Sequence, residues 1–95
     1  MIIGSCKVYL TAEWVYSLKE KRMVVKSLTE RMRNKFNIAV AEVERQDVHR
    51  SIVIGFVCLS NERPHVESMI ESVLRFMEAH TDAVIDDIVT ELIQE

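Results

Sequence analysis

The stretch SIVIGFVCLS, residues 51–60, contains the longest apolar run of the chain, from Ile52 to Leu59. This run is far shorter than the ~20 apolar residues that a helix needs to cross a bilayer. A nearly continuous apolar run of this length is typical of a central β-strand that helices and neighbouring strands cover. We therefore place it in the middle of a sheet and assign the rest of the chain outward from it.

The segments before this run predict a strand, a helix and a second strand. Residues 2–11 alternate between apolar and polar side chains, which is the period of a half-buried strand. Ser17 is placed to cap a helix that ends near Asn37, with Glu20 at the third position of a capping box. Residues 38–45 predict the second strand, and a bulge near Val40–Ala41 would reconcile its two apolar faces.

The segments after the run predict a helix and a final strand. Ser60-Asn61 supplies a cap, Pro64 is tolerated in a first turn, and the helical apolar period continues until His80-Thr81. Residues 83–93 are rich in Val and Ile and predict the fourth strand, although acidic residues interrupt it.

The predicted order of strand, helix, strand, strand, helix, strand is the split βαβ pattern of the ferredoxin-like fold. We expect one α+β domain over residues 1–95, with a four-stranded antiparallel sheet and both helices on one face. Strands one and three are predicted to be central, and strands two and four to be edges. Acidic residues on the edge strands would discourage edge-to-edge pairing.

Composition points to a cytoplasmic protein without a cofactor. Met1 leads directly into Ile2 and Ile3 with no basic segment before an apolar one, so no secretory signal is predicted, and no membrane association is expected. Cys6 and Cys58 are expected to be buried thiols. The three histidines stand in separate segments without metal-ligand spacing, so no metal site is predicted.

The first helix concentrates positive charge. Between Ser17 and Phe36 seven Lys and Arg side chains stand against two Glu, a net charge of +5, and because the whole chain has −3 the remainder carries −8. Cations are disfavoured in a first helical turn, whereas they assist backbone N–H groups in binding a phosphate. The segment therefore predicts an anion-binding helix start.

This helix is the first candidate functional surface, for structured RNA. The predicted phosphate contacts are Lys19, Lys21, Arg22, Lys26 and Arg33. Such contacts would position the protein without reading base sequence. An isoelectric point near 5.6 is unusual for an RNA-binding protein. The alternative is that these cations form a solvated face, or neutralise acidic groups of the same domain or of a second subunit.

The second candidate is a protein-interaction surface that would make the chain a homodimer or an adaptor. The uncovered sheet face is predicted to present Ile3, Tyr9, Val53 and Val57. Trp14 and Tyr16, in the connection before the first helix, are candidate interface anchors. The alternative for Trp14 is a lid that closes the end of the core.

An enzymatic function is not expected. Gly4 and Gly55 both fall inside predicted strands, so no glycine-rich phosphate loop is present. Asp47 and His49 lie two residues apart in a polar turn, a spacing more typical of a solvated connection than of a catalytic base.

The blocks SLKEKR at 17–22 and VVKSL at 24–28, together with AEV at 41–43, resemble the YlxP family of small bacterial proteins. The resemblance covers nearly the whole chain. It implies a ferredoxin-like fold, a cytoplasmic location, and genes that often neighbour those of ribosome maturation and translation factors. Ribosomal RNA or a ribosomal subunit is therefore the partner that the resemblance implies.

Overall fold

The computed structural model describes every residue from Met1 to Glu95. Six regular elements follow one another with short connections. They are β1 (Ile2–Thr11), α1 (Leu18–Lys35), β2 (Ala39–Glu44), β3 (Ser51–Ser60), α2 (Arg63–His80) and β4 (Val84–Gln94).

The sheet order is β2-β3-β1-β4, and every neighbouring pair is antiparallel. This order confirms the predicted ferredoxin-like α+β fold, with β1 and β3 in the centre. The two central strands pair along their whole length, from Ile2 opposite Ser60 to Thr11 opposite Ser51. The apolar run that predicted a central strand is therefore paired with another strand on both edges, β1 on one side and β2 on the other.

The two faces of the sheet differ because side chains alternate along each strand. Even-numbered residues of β1 and β3, such as Val8 and Phe56, are buried in the core against the helices. The odd-numbered residues form the opposite face, which no helix covers, and this surface is called the open sheet face below. Val66, Val73 and Met77 of α2 are fully buried in the same core.

Both helices begin near the predicted positions. The Ser17 side chain accepts a hydrogen bond from the Glu20 backbone N–H at 3.1 Å, which confirms the predicted cap. For α2 the cap residue is Glu62, without a side-chain cap hydrogen bond. The hydroxyl of Ser60 instead accepts from the Glu62 backbone N–H at 3.3 Å.

The bulge in β2 lies further along the strand than predicted. The register with β3 shifts between Glu42 and Glu44, so Val43 is the extra residue, and the prediction of a bulge near Val40–Ala41 is wrong. Glu42 shares the helix-covered face with Val40 by regular alternation, and the bulge after it leaves both Val43, which lies over Gly55, and Glu44 on the open sheet face. Arg45, which follows, has a positive φ of 59°. Neither helix is apolar enough over a sufficient length to span a membrane.

Candidate nucleic-acid interface

One side of α1 presents cations to solvent. Lys19, Arg22, Lys26 and Arg33 are all exposed, and at 100° per residue they fall within one 60° sector of the helix. These four residues are called the basic stripe below. The buried apolar residues of α1, Val25, Leu28 and Met32, lie outside this sector, and the buried Thr29 borders it.

The basic stripe has no carboxylate partner within the chain. Four salt bridges are present, and their cations are Lys7, Lys21, Arg63 and Arg75. None of them belongs to the stripe. Neutralisation by acidic groups of the same molecule, the alternative considered from sequence, is therefore not found.

Lys21 is not a surface residue, and its assignment as a phosphate contact is wrong. Its side chain is 1% exposed, and its Nζ lies 2.7 Å from Glu42 Oε2. The ammonium also donates to the backbone oxygens of Arg45 and Val48, both at 2.6 Å. Glu42 Oε2 accepts no hydrogen bond of regular geometry, so the contact is an ion pair held by charge. Lys21 therefore fastens α1 to the β2–β3 connection.

The helical period sets Lys21 apart from the basic stripe, but it does not show that the charged head is buried. Lys21 lies close to the apolar stripe of α1, where a lysine stem commonly packs while its charged head reaches water. Glu42 faces this position because it lies on the helix-covered face of β2, and its pairing with Lys21 depends on how α1 packs over that strand.

Arg33 is the most restrained member of the basic stripe. One of its guanidinium nitrogens donates to the backbone oxygen of Val40 at 3.0 Å. The remaining donors of an arginine stay available, because the guanidinium has five N–H groups. Lys19, Arg22 and Lys26 form no hydrogen bond or salt bridge through their side chains, so they are the freest cations of the stripe.

The first turn of α1 offers less to an anion than the sequence predicted. The Ser17 hydroxyl already accepts from the Glu20 backbone N–H, and the Lys21 ammonium is buried. Two of the donors that the predicted anion-binding helix start would use are thus occupied. The basic stripe, rather than the helix start, is the stronger candidate for binding phosphates.

A groove lies between α1 and the end of α2, on the opposite flank of α1 from the basic stripe, whose Arg33 contacts β2. Its volume is ≈ 340 Å³, and its walls include Trp14, Met23, Arg31, His80 and Asp82. A shallower groove on the outer side of α1 adjoins it, since Met23, Ser27 and Arg31 line both, and this second groove reaches Lys26. The surface from the basic stripe to Trp14 is therefore continuous.

Trp14 does not close the core. Its side chain is 42% exposed, whereas Ala12 and Val15 on either side are fully buried and belong to the core. The lid function that sequence allowed for Trp14 is performed by these two smaller residues. Tyr16 is 74% exposed, and the guanidinium of Arg50 lies 5.6 Å from its ring centre.

The open sheet face differs from its prediction at one position. Val53 is fully buried, so its assignment as an exposed interaction residue is wrong. Val53 lies opposite Tyr9 on β1 and Glu44 on β2, and the guanidinium of Arg45 lies 5.3 Å from the Tyr9 ring centre. These larger neighbours explain how a valine outside the helix-covered core is shielded from water.

The other end of the open sheet face is apolar. Ile3 is half-buried there and pairs with Leu59 and Ile93, both of which are exposed, and Val57 is exposed as predicted. Leu59 and Ile93 were not singled out from sequence. Strand alternation alone places both side chains on the outward-facing side of their strands, so the sequence could have identified them. Their contact with Ile3, however, depends on the strand register.

Three side chains have shifted pKa values, and none points to catalysis. Burial raises the pKa of the Cys6 thiol and of the Cys58 thiol, which keeps both protonated and unreactive. The carboxylate of Glu44 raises the pKa of the Lys7 ammonium, through a contact of 2.7 Å. No group of three or more His, Cys, Asp or Glu side chains is placed to hold a metal ion.

Comparison with known proteins supports both the fold and the family resemblance. A de novo designed protein, Foldit4, superposes with a TM-score of 0.53 over 99% of this chain and 97% of its own, at 11% sequence identity. The uncharacterized protein YlxP of Bacillus subtilis (strain 168) is 36% identical over 63 residues, covering 66% of this chain and 68% of that protein. The model of the family described as "Protein of unknown function (DUF503)" matches residues 3–90. The chain therefore belongs to this DUF503 family and is YlxP-like, as its sequence motifs indicated.

Proposed function

We propose that this protein is a non-enzymatic RNA-binding module of the cytoplasm that docks the basic stripe of α1 on the phosphates of structured RNA, such as ribosomal RNA. The observation that supports this most is the absence of intramolecular partners for Lys19, Arg22 and Lys26. Cations without protein partners retain counterions and solvent that a phosphate backbone can displace.

The charge distribution would orient the encounter. The chain outside residues 17–36 carries a net charge of −8, so most of the surface repels a polyanion. An RNA backbone would therefore approach through α1, and the fixed orientation would compensate for the acidic charge of the whole protein. Three or four phosphate contacts give an affinity that depends strongly on salt and little on base sequence.

The test is a binding titration with an RNA hairpin at several salt concentrations. We expect Lys19→Gln/Arg22→Gln/Lys26→Gln to weaken binding and to reduce the slope of log K against log salt by about 2–3. Gln has a helix propensity close to those of Lys and Arg, so folding should be retained. The control is Arg63→Gln/Arg75→Gln on α2, which removes two cations already paired with Glu67 and Glu71. It is compared with Lys19→Gln/Lys26→Gln, which removes two cations of the basic stripe.

Equal loss of binding in the α1 and α2 variants would contradict the proposal, because it would show a response to net charge alone. No binding by the wild-type protein at low salt would contradict it directly.

The apolar end of the open sheet face favours a second candidate function, a homodimer or protein adaptor without nucleic acid. Leu59 is 58% exposed and lies beside Ile3 and Val57, and Ile93 lies on the other side of Ile3. A contiguous apolar patch of this kind commonly marks a protein interface. Lys7 and Glu44 form an exposed ion pair near the middle of the same face, which gives the patch a polar border.

Analytical ultracentrifugation separates this candidate from the first. A homodimer should dissociate on Leu59→Lys, whereas Trp14→Lys should leave it intact. A wild-type protein that stays monomeric at high concentration would remove the homodimer and leave only a different protein as a partner.

A further inference from the structure

We propose that the groove between α1 and the end of α2 holds an unpaired nucleotide of the bound RNA, whose base stacks on Trp14. This inference rests on the proposed RNA-binding function and adds that the RNA must present a loop or bulge next to its paired stem.

The groove that contains Trp14 is connected to the basic stripe through the shallow groove on the outer side of α1. Lys26 of the basic stripe borders the shallow groove on the outside of α1, and Met23 and Arg31 line both this groove and the one that contains Trp14. A strand whose phosphate contacts Lys26 can therefore cross the outer side of α1 along the shallow groove and place a nucleotide further along the strand beside Trp14.

The backbone around Trp14 is anchored while the indole ring stays accessible. Ala12 and Val15 are fully buried on either side of it. The Val15 backbone oxygen also accepts from Arg50 Nε at 3.2 Å, and the Ala12 backbone N–H donates to the Arg50 oxygen at 2.8 Å. Because the backbone around Trp14 is already ordered in this way, stacking of a base on the ring would not require the connection to be ordered first.

The opposite wall is also ordered. The His80 ring is stacked on Phe76, with ring centres 4.0 Å apart, and its Nδ1 lies 2.9 Å from the Phe76 backbone oxygen. Phe76 in turn meets the edge of Phe36, with ring centres 5.4 Å apart. The groove therefore keeps its shape between two aromatic groups.

The charges favour a base over a phosphate inside the groove. Asp82 and Arg31 both line it, and neither forms a salt bridge or side-chain hydrogen bond within the chain. The carboxylate of Asp82 would repel a phosphate, whereas it can accept hydrogen bonds from the exocyclic amino group of a base or from a ribose 2′-hydroxyl. Arg31 can then contact the flanking phosphate.

Trp14 is the only tryptophan of the chain, so its fluorescence reports directly on this groove. The experiment compares an RNA hairpin with an unpaired loop and a fully paired RNA duplex with the same number of phosphates. We expect the hairpin to quench Trp14 fluorescence, whereas the duplex should bind through the basic stripe with little quenching.

Substitution of Trp14 tests the same groove independently, through the affinity for each RNA. Trp14→Leu should weaken hairpin binding about 5- to 150-fold, which is the range measured for loss of one base–aromatic stack, and Trp14→Phe should recover part of it. Duplex binding should change little. The matched control is Tyr16→Leu, which removes an exposed aromatic ring outside the groove and should leave both affinities unchanged.

The outcomes distinguish this inference from the proposed function. If both RNAs bind equally, depend on Lys19, Arg22 and Lys26, and leave the fluorescence unchanged, the groove proposal is overturned while RNA binding stands. If neither RNA binds, both proposals fail. Because the fluorescence experiment uses the wild-type protein, a Trp14 variant that does not fold leaves this decision intact.

Discussion

Helices α1 and α2 have the same length of 18 residues and cover the same face of the sheet, yet their lysine and arginine side chains have different partners. On α2, Arg63 pairs with Glu67 four residues later, and Arg75 pairs with a glutamate four residues earlier. On α1, one cation is buried in an ion pair and those of the basic stripe have no acidic partner. The difference teaches that lysine and arginine content does not identify a binding surface until each cation's partner is known.

The contrast also concerns how each helix is attached to the sheet. Helix α2 packs through apolar side chains directly over Gly4 and Cys58. Helix α1 adds a polar attachment through Lys21, which reaches Glu42 and two backbone oxygens of the β2–β3 connection. One lysine of α1 is therefore structural, while Lys19, two residues earlier, is free.

The largest effect that sharpens this contrast is expected from Lys21→Met. The substitution leaves the buried Glu42 carboxylate without its cation, and we expect a loss of about 3 kcal/mol in the free energy of unfolding. Lys21→Met/Glu42→Leu should recover part of it, since removing both charges avoids the buried unpaired one. Urea denaturation measures both changes.

The control for this prediction is Lys19→Met, which alters an exposed residue of the same helical turn and should change stability by less than about 0.5 kcal/mol. Equal stabilities of the Lys21 and Lys19 variants would mean that the buried ion pair does not hold α1 in place.

A smaller effect is expected where α2 meets the sheet. A Cβ at Gly4 would lie 2.6 Å from Val66 Cγ1 and 2.7 Å from Ile70 Cδ1, inside the core. Gly4→Ala should therefore cost about 1–3 kcal/mol by overpacking, as thermal or urea unfolding can measure.

Gly55→Ala is the matched substitution on the open sheet face. Its Cβ would lie 2.9 Å from Val43 Cγ1, but Val43 is partly exposed and its side chain can move toward solvent. We expect a cost below about 1 kcal/mol. A larger cost at Gly55 than at Gly4 would contradict the view that the helix-covered face is the more rigidly packed one.

The smallest effect concerns the acidic residues of the two helices. Glu30 is exposed on α1 and lines the shallow groove together with Lys26 and Arg31, but it forms no salt bridge. Glu30→Gln should strengthen hairpin binding about 2- to 5-fold by removing a charge near the phosphates. Glu62→Gln at the start of α2 makes the same change in net charge without releasing a paired cation, and it should leave the affinity unaltered. Fluorescence anisotropy at fixed salt compares them, and equal gains would indicate that only net charge matters.

Local sequence predicted the elements of this fold well, for a physical reason. Alternation in β1, the apolar run in β3 and the Ser17 cap depend on residues close together in the chain, and neighbours in sequence are enough to specify a strand or a helix start. The order of those elements then left few topologies, because crossover connections are right-handed.

The candidate site was predicted less completely, because accessibility depends on residues far apart in sequence. The helical period places Lys21 beside the apolar stripe of α1 and Lys19 away from it, but only the fold brings Glu42 to the Lys21 ammonium. Val53 likewise shares the parity of exposed positions but is shielded beside Tyr9 and Glu44.

The sequence by itself therefore determined the secondary structure, the ferredoxin-like order and the excess of cations on α1. The tertiary structure alone decided which of those cations remain available, and that Trp14, Arg31 and Asp82 meet in one groove. The reason is that periodicity and capping are local properties of the chain, whereas burial and charge pairing depend on which distant segments the fold brings within a few ångströms.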